Sequence, residues 1–359
     1  MKHITRFLCM SLIAMAFVSC DKDDNNSEPA DTTSGATFHA NALVLNEGGW
    51  GANNASISAL DTRDGEIKNG WFADKNRRGL GDVAQDMLLY GSKVYVTVTF
   101  SNSLEVIDTA TGISQRIDMG DRQPRSIAAA GGKLYISCYT PHSVVRIDTA
   151  SLQIEATCTL GDYNPEGLAI EGDNLFVTSS FISDQQNNYT YDDKLYVIPL
   201  STFANPQTIT VGANMSDVQS LGNGKLIATY TGDYAAVAAG SAIIDAATLT
   251  ATPTGQALTK MAIYNGKAYG YATEYDDNWN QVVNYVTIDA NGTVAPFPVN
   301  FSLGGNPYGI SIDPSNGDIY IVSDGNYTSN GDLYCISLTE GTRFMTEAGM
   351  LPKKVVFLK

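Results

Sequence analysis

From Pro124 the chain reads PRSIAAAGGKLYISC, then SVVRID, then QIEATCTL; from Pro165 it reads PEGLAIEGDNLFVTS, then DKLYVIP. One phrase is being repeated: an apolar stretch, a glycine-containing turn, a Leu/Ile-Tyr/Phe-Ile/Val stretch with period-two alternation, and a looser strand that ends in Ile-Asp. Alternation on both sides of a tight turn is the pattern of hairpin strands. Further copies start at Asp86 (DMLLYGSKVYVTV, SLEVID), Asp217 (DVQSLGNGKLIATY, SAIID), Lys260 (KMAIYNGKAYGYA, NYVTID) and Pro307 (PYGISIDPSNGDIYIVS, GDLYCIS), which makes six complete units. Self-similarity at this period narrows the fold sharply, because each unit is one supersecondary element that can bury its faces only against its neighbours.

A seventh unit is divided between the ends. Ala42–Asn46 matches the second strand of the phrase, Ser56–Asp61 the third and Glu66–Phe72 the fourth, but no first strand precedes them. Pro352–Leu358 has the proline-led first-strand pattern with no second strand after it. Equivalent second strands begin near residues 43, 94, 134, 175, 226, 268 and 319, spaced 40 to 51 apart. Four short strands per repeat, without a 3.6-residue period, predict an all-β chain: a seven-bladed β-propeller, circularly closed by the C-terminal strand. A β-helix or a pair of sandwiches fits less well, since neither needs its ends to meet. The repeated Leu/Ile-Tyr-Ile/Val clusters are accordingly core residues first.

Ahead of the repeats lies a different kind of sequence. Lys2 and Arg6 precede an apolar run, Phe7–Val18, that is too short to span a bilayer and suits a signal-peptide core. Residues 1–19 therefore read as a signal peptide. The run ends in Phe17-Val18-Ser19-Cys20, which resembles the site where bacterial signal peptidase cuts lipoproteins, so Cys20 is expected to carry the lipid; a plain secreted protein cut near Ser19 is the alternative. Residues 20–38 have no apolar periodicity and read as the lipidated cysteine and a flexible tether, with residues 39–359 forming the propeller.

Charge removes one class of partner. Thirty-eight acidic against 22 basic residues give a net charge of −16, the wrong sign for holding a phosphate backbone, so no nucleic acid is expected. Only His3, His39 and His142 are present, which leaves little material for a histidine-built metal or acid–base centre. Cys138, Cys158 and Cys335 fall in strand interiors; one bridge among them is possible, and no chemistry is assigned to them.

In a propeller the loops between second and third strands and the loops between blades open on one face, around the central channel, where variation collects. The second-to-third loops differ in length here. Thr99–Asn102 and Tyr139–His142 are minimal, whereas Asn46–Asn54, Ser180–Asp193, Tyr230–Ala239, Thr273–Val282 and Ser323–Asp332 are long and mix rings with Asn, Gln and Asp. Rings offer flat apolar area and carboxamides fix orientation, a composition suited to a large, flat ligand with a polar rim. The candidate ligand-binding set is Trp50, Asn53, Phe100, Tyr139, Phe181, Tyr189, Tyr191, Tyr234, Trp279 and Tyr327 from these loops, with Asp82, Gln85, Arg122, Arg125, Tyr163 and Tyr308 from the inter-blade loops. Arg122 and Arg125 are the candidates for an anionic group on the ligand. Glycine before an acid or amide recurs in the inter-blade loops, as a tight crossing at positive φ would require.

No Gly-x-Ser-x-Gly elbow, His-Glu-x-x-His or glycine-rich phosphate loop occurs. Asp324, Asn326, Asn330 and Asp332 make an oxygen-rich loop without EF-hand spacing. No catalytic residue, no resident cofactor and no metal are expected.

The Asn46-Glu47-Gly48-Gly49-Trp50-Gly51 start, the Pro-x-x-Ile/Leu blade openings, the Ile-Asp-Thr ends at Asp108-Thr109 and Asp148-Thr149, and the leader together resemble the Bacteroidetes surface-exposed seven-bladed propeller lipoproteins, relatives of quinoprotein amine dehydrogenase-like proteins. Within that group the chain is similar to the cobalamin-binding lipoproteins of vitamin B12 import. The resemblance implies a non-enzymatic protein of the outer membrane, facing the cell exterior and held by its lipid alone. It would bind cobalamin or another corrinoid on its loop face as a transported ligand and deliver it to a TonB-dependent outer-membrane β-barrel. Loop composition, not the resemblance, nominates the site residues above. A glycan-binding or adhesion propeller remains an alternative, as does a propeller lyase or lactonase.

Overall fold

The computed structural model describes residues 37–276, 278 and 281–358. The signal peptide, Cys20, nearly all of the tether and Trp279 lie outside the described residues. From Phe38 onward the chain forms one compact unit of seven four-stranded antiparallel sheets arranged in a ring, the predicted β-propeller. In chain order after the split blade, the first strands are Ala84–Tyr90 (blade two), Pro124–Ala130 (three), Pro165–Glu171 (four), Met215–Gly222 (five), Lys260–Tyr264 (six) and Pro307–Ile312 (seven). Blade one takes its first strand from the other terminus. Pro352–Phe357 pairs antiparallel with Ala42–Asn46, with Leu43 opposite Val356 and Val44 opposite Val355. The seven first strands touch one another in cyclic order and line the central channel.

Burial explains why some strands do not alternate as the hairpin pattern suggested. The second strands, such as Lys93–Val98 and Lys133–Cys138, are buried at every position after the first. They lie mid-blade with a neighbouring blade over each face, so both side-chain sets need apolar residues. Fourth strands on the outside, such as Ser114–Asp118, are mostly open to solvent.

The Ile-Asp ends are turn chemistry. Asp148 Oδ1 accepts from the backbone N–H of Ala150 and Ser151, and Asp245 Oδ1 from those of Ala247 and Thr248, which closes each third-to-fourth turn. Lysines at the start of the second strands complete the pattern: Lys133 Nζ lies 2.8 Å from Asp148 and Lys225 Nζ 2.7 Å from Asp245. The glycine of the first-to-second turn is needed where Gly132 sits at φ 74°.

Three segments depart from the expected outline. The fourth strand of blade one is only Ile67–Lys68, not Glu66–Phe72, because the chain leaves the ladder at Gly70 (φ 75°) and forms a short helix, Trp71–Asn76, that buries Phe72 in the core. The long loop of blade four folds into a small hairpin, Phe181–Ser183 with Tyr189–Tyr191. In blade six the hairpin continues beyond the sheet body, so that Tyr275 pairs with Gln281. Cys138, Cys158 and Cys335 are free, buried and placed in three different apolar clusters; burial pushes the Cys138 thiol up to about 12.

Candidate functional site

Backbone hydrogen bonds tie the two sets of loops to one face. The first N–H groups of a second-to-third loop donate to carbonyls of the inter-blade crossing in the same blade: Phe100 to Asp82 (3.2 Å), Thr140 to Arg122 (3.2 Å), Ser180 to Asn164 (2.9 Å), Gly232 to Ala213 (3.0 Å) and Asp324 to Asn306 (3.0 Å). The crossing itself is made at positive φ by the residue just before the first strand, Val83, Gln123, Asn214 or Leu351. In blades two and three a glycine before an acid shares the turn as the sequence suggested, Gly81 at φ 138° and Gly120 at φ 63°, whereas Asn214 and Leu351 turn the chain without one.

Above the channel, each first strand presents a residue from its start to the centre, one per blade: Lys353, Gln85, Arg125, Glu166, Ser216 and Tyr308, each second in its strand, and Lys260, first in its own. These seven line a cavity of about 280 Å3, together with third-position residues that include Lys354, Asp86 and Asp217. Arg125 is the hub of one network. Its Nη1 donates to Gln85 Oε1 (2.8 Å), its Nη2 to Glu166 Oε2 (3.1 Å), and its guanidinium lies 4.7 Å from the Tyr139 ring centroid. The Tyr139 hydroxyl donates to the other oxygen of Glu166, and burial and that carboxylate push the hydroxyl far up. On the opposite side Lys353 Nζ lies 3.3 Å from Glu47 Oε2, which also accepts from the Tyr308 hydroxyl. Burial alone would push the Glu47 carboxyl up, but Lys353 and Tyr308 outweigh it and hold it below the usual carboxylate range. Lys354 Nζ pairs with Asp86 Oδ1 at 2.7 Å. At the third position Gly309 lets two blades approach, since a Cβ there would stand 2.0 Å from the Lys353 carbonyl oxygen.

Around this centre stands the rim. Among the described residues, every aromatic side chain that is exposed belongs to a second-to-third loop: Trp50, Phe100, Tyr189, Tyr234, Tyr275 and Tyr327, one from each of six blades. The remaining blade, three, turns its ring inward as Tyr139. Trp50 and Phe100 stack at 5.8 Å and 24°. Phe181, Tyr189, Tyr191 and Tyr234 make a continuous arc with centroid separations of 5.4, 6.5 and 5.8 Å, and with Asn214 they enclose a further cavity of about 230 Å3. Tyr308 meets Tyr327 edge-on at 5.9 Å.

The sixteen residues nominated from sequence are thus distributed rather than gathered in one cluster. Trp50, Phe100 and Asp82 belong together, because Asp82 accepts from the Gly51 N–H at 3.1 Å beside the stacked pair; Asn53 is exposed on the same loop. Gln85, Arg125, Tyr139 and Tyr308 lie at the channel, and Tyr308 joins it to Tyr327. The four-ring arc is separate. Tyr163 is half-buried in the crossing before blade four. Arg122 folds back, its Nη1 donating to the Met119 carbonyl (2.8 Å) while its Nε is buried without a partner. Both candidate arginines already have acceptors within the chain. Lys260, Lys353, Lys354, Asp86 and Glu47 were missed; aligning the first three positions of the seven first strands would have found all but Glu47.

The oxygen-rich loop of blade seven is closed on itself. Asp324 Oδ1 accepts from the Asn326 N–H, and Asn330 Nδ2 donates to Glu347. Among the described residues no group of three His, Cys, Asp or Glu side chains is placed to hold a metal ion.

No family model matches the chain, and no curated protein matches it. Solved structures do. A quinoprotein alcohol dehydrogenase-like protein from Bacteroides thetaiotaomicron superposes with a TM-score of 0.64 at 12% identity, over 89% of this chain and 79% of that one. U3-55K superposes with a TM-score of 0.50 at 10% identity, over 72% of this chain and 79% of that one. At such identities the likeness is one of fold.

Proposed function

We propose that this chain is a capture protein of the cell envelope, without a catalytic role, that takes a corrinoid on its loop face and passes it to a TonB-dependent outer-membrane β-barrel while tethered through lipid on Cys20. The observation that carries the reading is the rim. Six exposed rings from six different blades encircle one opening, and no exposed aromatic is found elsewhere among the described residues. Exposed aromatic surface gathered on one face of an otherwise acidic chain marks a binding surface. A corrin is a broad disk edged with amides, and the rim is broad, aromatic and interspersed with carboxamides such as Asn53, Asn54 and Asn214. The blades hold these loops apart on a rigid frame, so the rings need little ordering on binding.

Titration of the purified protein with cyanocobalamin, followed by heat and by the corrin absorption bands, tests it. Saturable binding at one equivalent is expected. Trp50→Ala and Tyr234→Ala should each weaken it about 2- to 12-fold, the range that ring contacts of roughly 0.5–1.5 kcal/mol imply. Their side chains are 83% and 76% exposed, so thermal stability should not change. The near-parallel Trp50–Phe100 pair also suits the flat face of a sugar, so glycan-array hits without any response to cyanocobalamin would replace the corrinoid by a carbohydrate and overturn the proposal.

A further inference from the structure

The cavity at the channel mouth gathers charged side chains that the rim does not explain, and one of its cations lacks an ion-pair partner. Four of the chain's 22 basic side chains, Arg125, Lys260, Lys353 and Lys354, converge on its wall although the chain carries a net charge of −16. Three are matched: Arg125 by Glu166, Lys353 by Glu47 and Lys354 by Asp86. Lys260 and Asp217 are left. The Lys260 side chain makes no hydrogen bond or ion pair among the described residues, although its backbone is paired in the strand ladder. Asp217 feels the Lys260 charge but stands beyond ion-pair distance of it, and its carboxylate accepts instead from Gln219 Nε2 at 2.8 Å.

Holding ammonium groups together in a half-enclosed, low-dielectric cavity is unfavourable unless a counter-charge enters. Lys353 registers the strain: burial, reinforced by Lys260 and Arg125 and opposed by Glu47, brings its ammonium down to about 8. Serine and glutamine side chains at Ser126, Ser216 and Gln85 on the same wall offer hydrogen bonds to an oxyanion, and the walls focus the field inwards.

We infer that this cavity is a binding site for one small oxyanion, a carboxylate or phosphate group, seated between Lys260 and Lys353 and separate from the aromatic rim. The volume admits a free anion of a few heavy atoms or the anionic end of a larger molecule. The site stands whether or not the rim takes a corrinoid, since it rests on the channel side chains alone.

Calorimetric titration of the full chain at pH 7 with inorganic phosphate and, separately, with acetate tests the inference. Saturable heat from either anion supports it and assigns the class: phosphate alone points to a phosphoryl group, acetate alone to a carboxylate. Lys260→Met should weaken binding at least tenfold, and because the Lys260 side chain makes no hydrogen bond or ion pair the variant is expected to fold as the parent does. Lys353→Met should weaken it comparably, while Lys75→Met, which removes the same charge from the exposed face of the short helix, should leave affinity unchanged. No heat from either anion, or an affinity unaltered by Lys260→Met, overturns the proposal.

Discussion

The closing strand offers the sharpest test of the architecture, because its two central side chains serve different blades. Val355 is 4% exposed and packs with Tyr320, Val322 and Leu333 of blade seven; Val356 is 8% exposed and packs with Met87, Val94 and Val96 of blade two. Replacing either by alanine removes two buried methyl groups, about 1.6 kcal/mol by transfer and roughly 2 kcal/mol once the cavity is included. Unfolding entropy of about 2.1 cal/mol/K per residue, over some 320 folded residues, gives roughly 0.7 kcal/mol/K. Each variant should therefore melt about 3 °C below the parent. The two valines share no cluster, so the double variant should fall by about 6 °C, with little coupling. Differential scanning calorimetry on the four proteins decides it. A drop below 1 °C for either single variant would mean that the strand is not seated between blades seven and two. Ending the chain at Leu351 goes further, since it bares Ala42–Asn46, a fully buried apolar strand, as an unpaired edge; that protein should aggregate on a sizing column.

Two other consequences concern buried charge. Glu105 is fully buried and receives Arg78 at 2.6 Å, Arg116 at 2.6 Å and the Ser114 hydroxyl at 2.6 Å; burial pushes its carboxyl up, but these partners together hold it below the usual range. A group depressed in this way contributes stability above its unfolded pKa and loses it as pH falls, so Glu105→Gln should cost about 2 kcal/mol at pH 7 and flatten the acid limb of the melting profile. Lys353 has the opposite sign. With its ammonium at about 8 against an ordinary 10.5, the folded chain binds fewer protons than the unfolded one between those values, and stability should rise with pH from 8 to about 10. The full swing is on the order of 3 kcal/mol. Glu47, Lys260, Arg125 and Tyr308 face this amine, and above pH 10 the buried tyrosines Tyr271 and Tyr308, whose hydroxyls burial pushes up, reverse the trend. Melting curves of Lys353→Met across pH 7–10 should lack the rise.

Much of the ring could be read from the linear chain, since repetition is itself a sequence property. The phrase beginning at Pro124 and Pro165, its return at Pro307 and its orphaned first strand at Pro352 specify seven sheets and the pairing of the C-terminal strand with Leu43–Leu45, and the structure adds the register, Val356 opposite Leu43. The aromatic loops were visible for the same reason: insertions stand out against a regular period. What repetition could not convey was which side chains meet across blades. Lys260, Lys353 and Glu47 are more than 90 residues from at least one neighbour in the cavity, and each reads locally as an ordinary surface charge. Glu66–Phe72 looked like a strand because short apolar stretches do not distinguish a ladder from a single helical turn; packing of Phe72 beside Leu80 and Met87 decided that. Period and pattern act through the backbone over a few residues, whereas the charges at the channel acquire their partners only when the circle closes and brings the opening residues of every first strand to one axis.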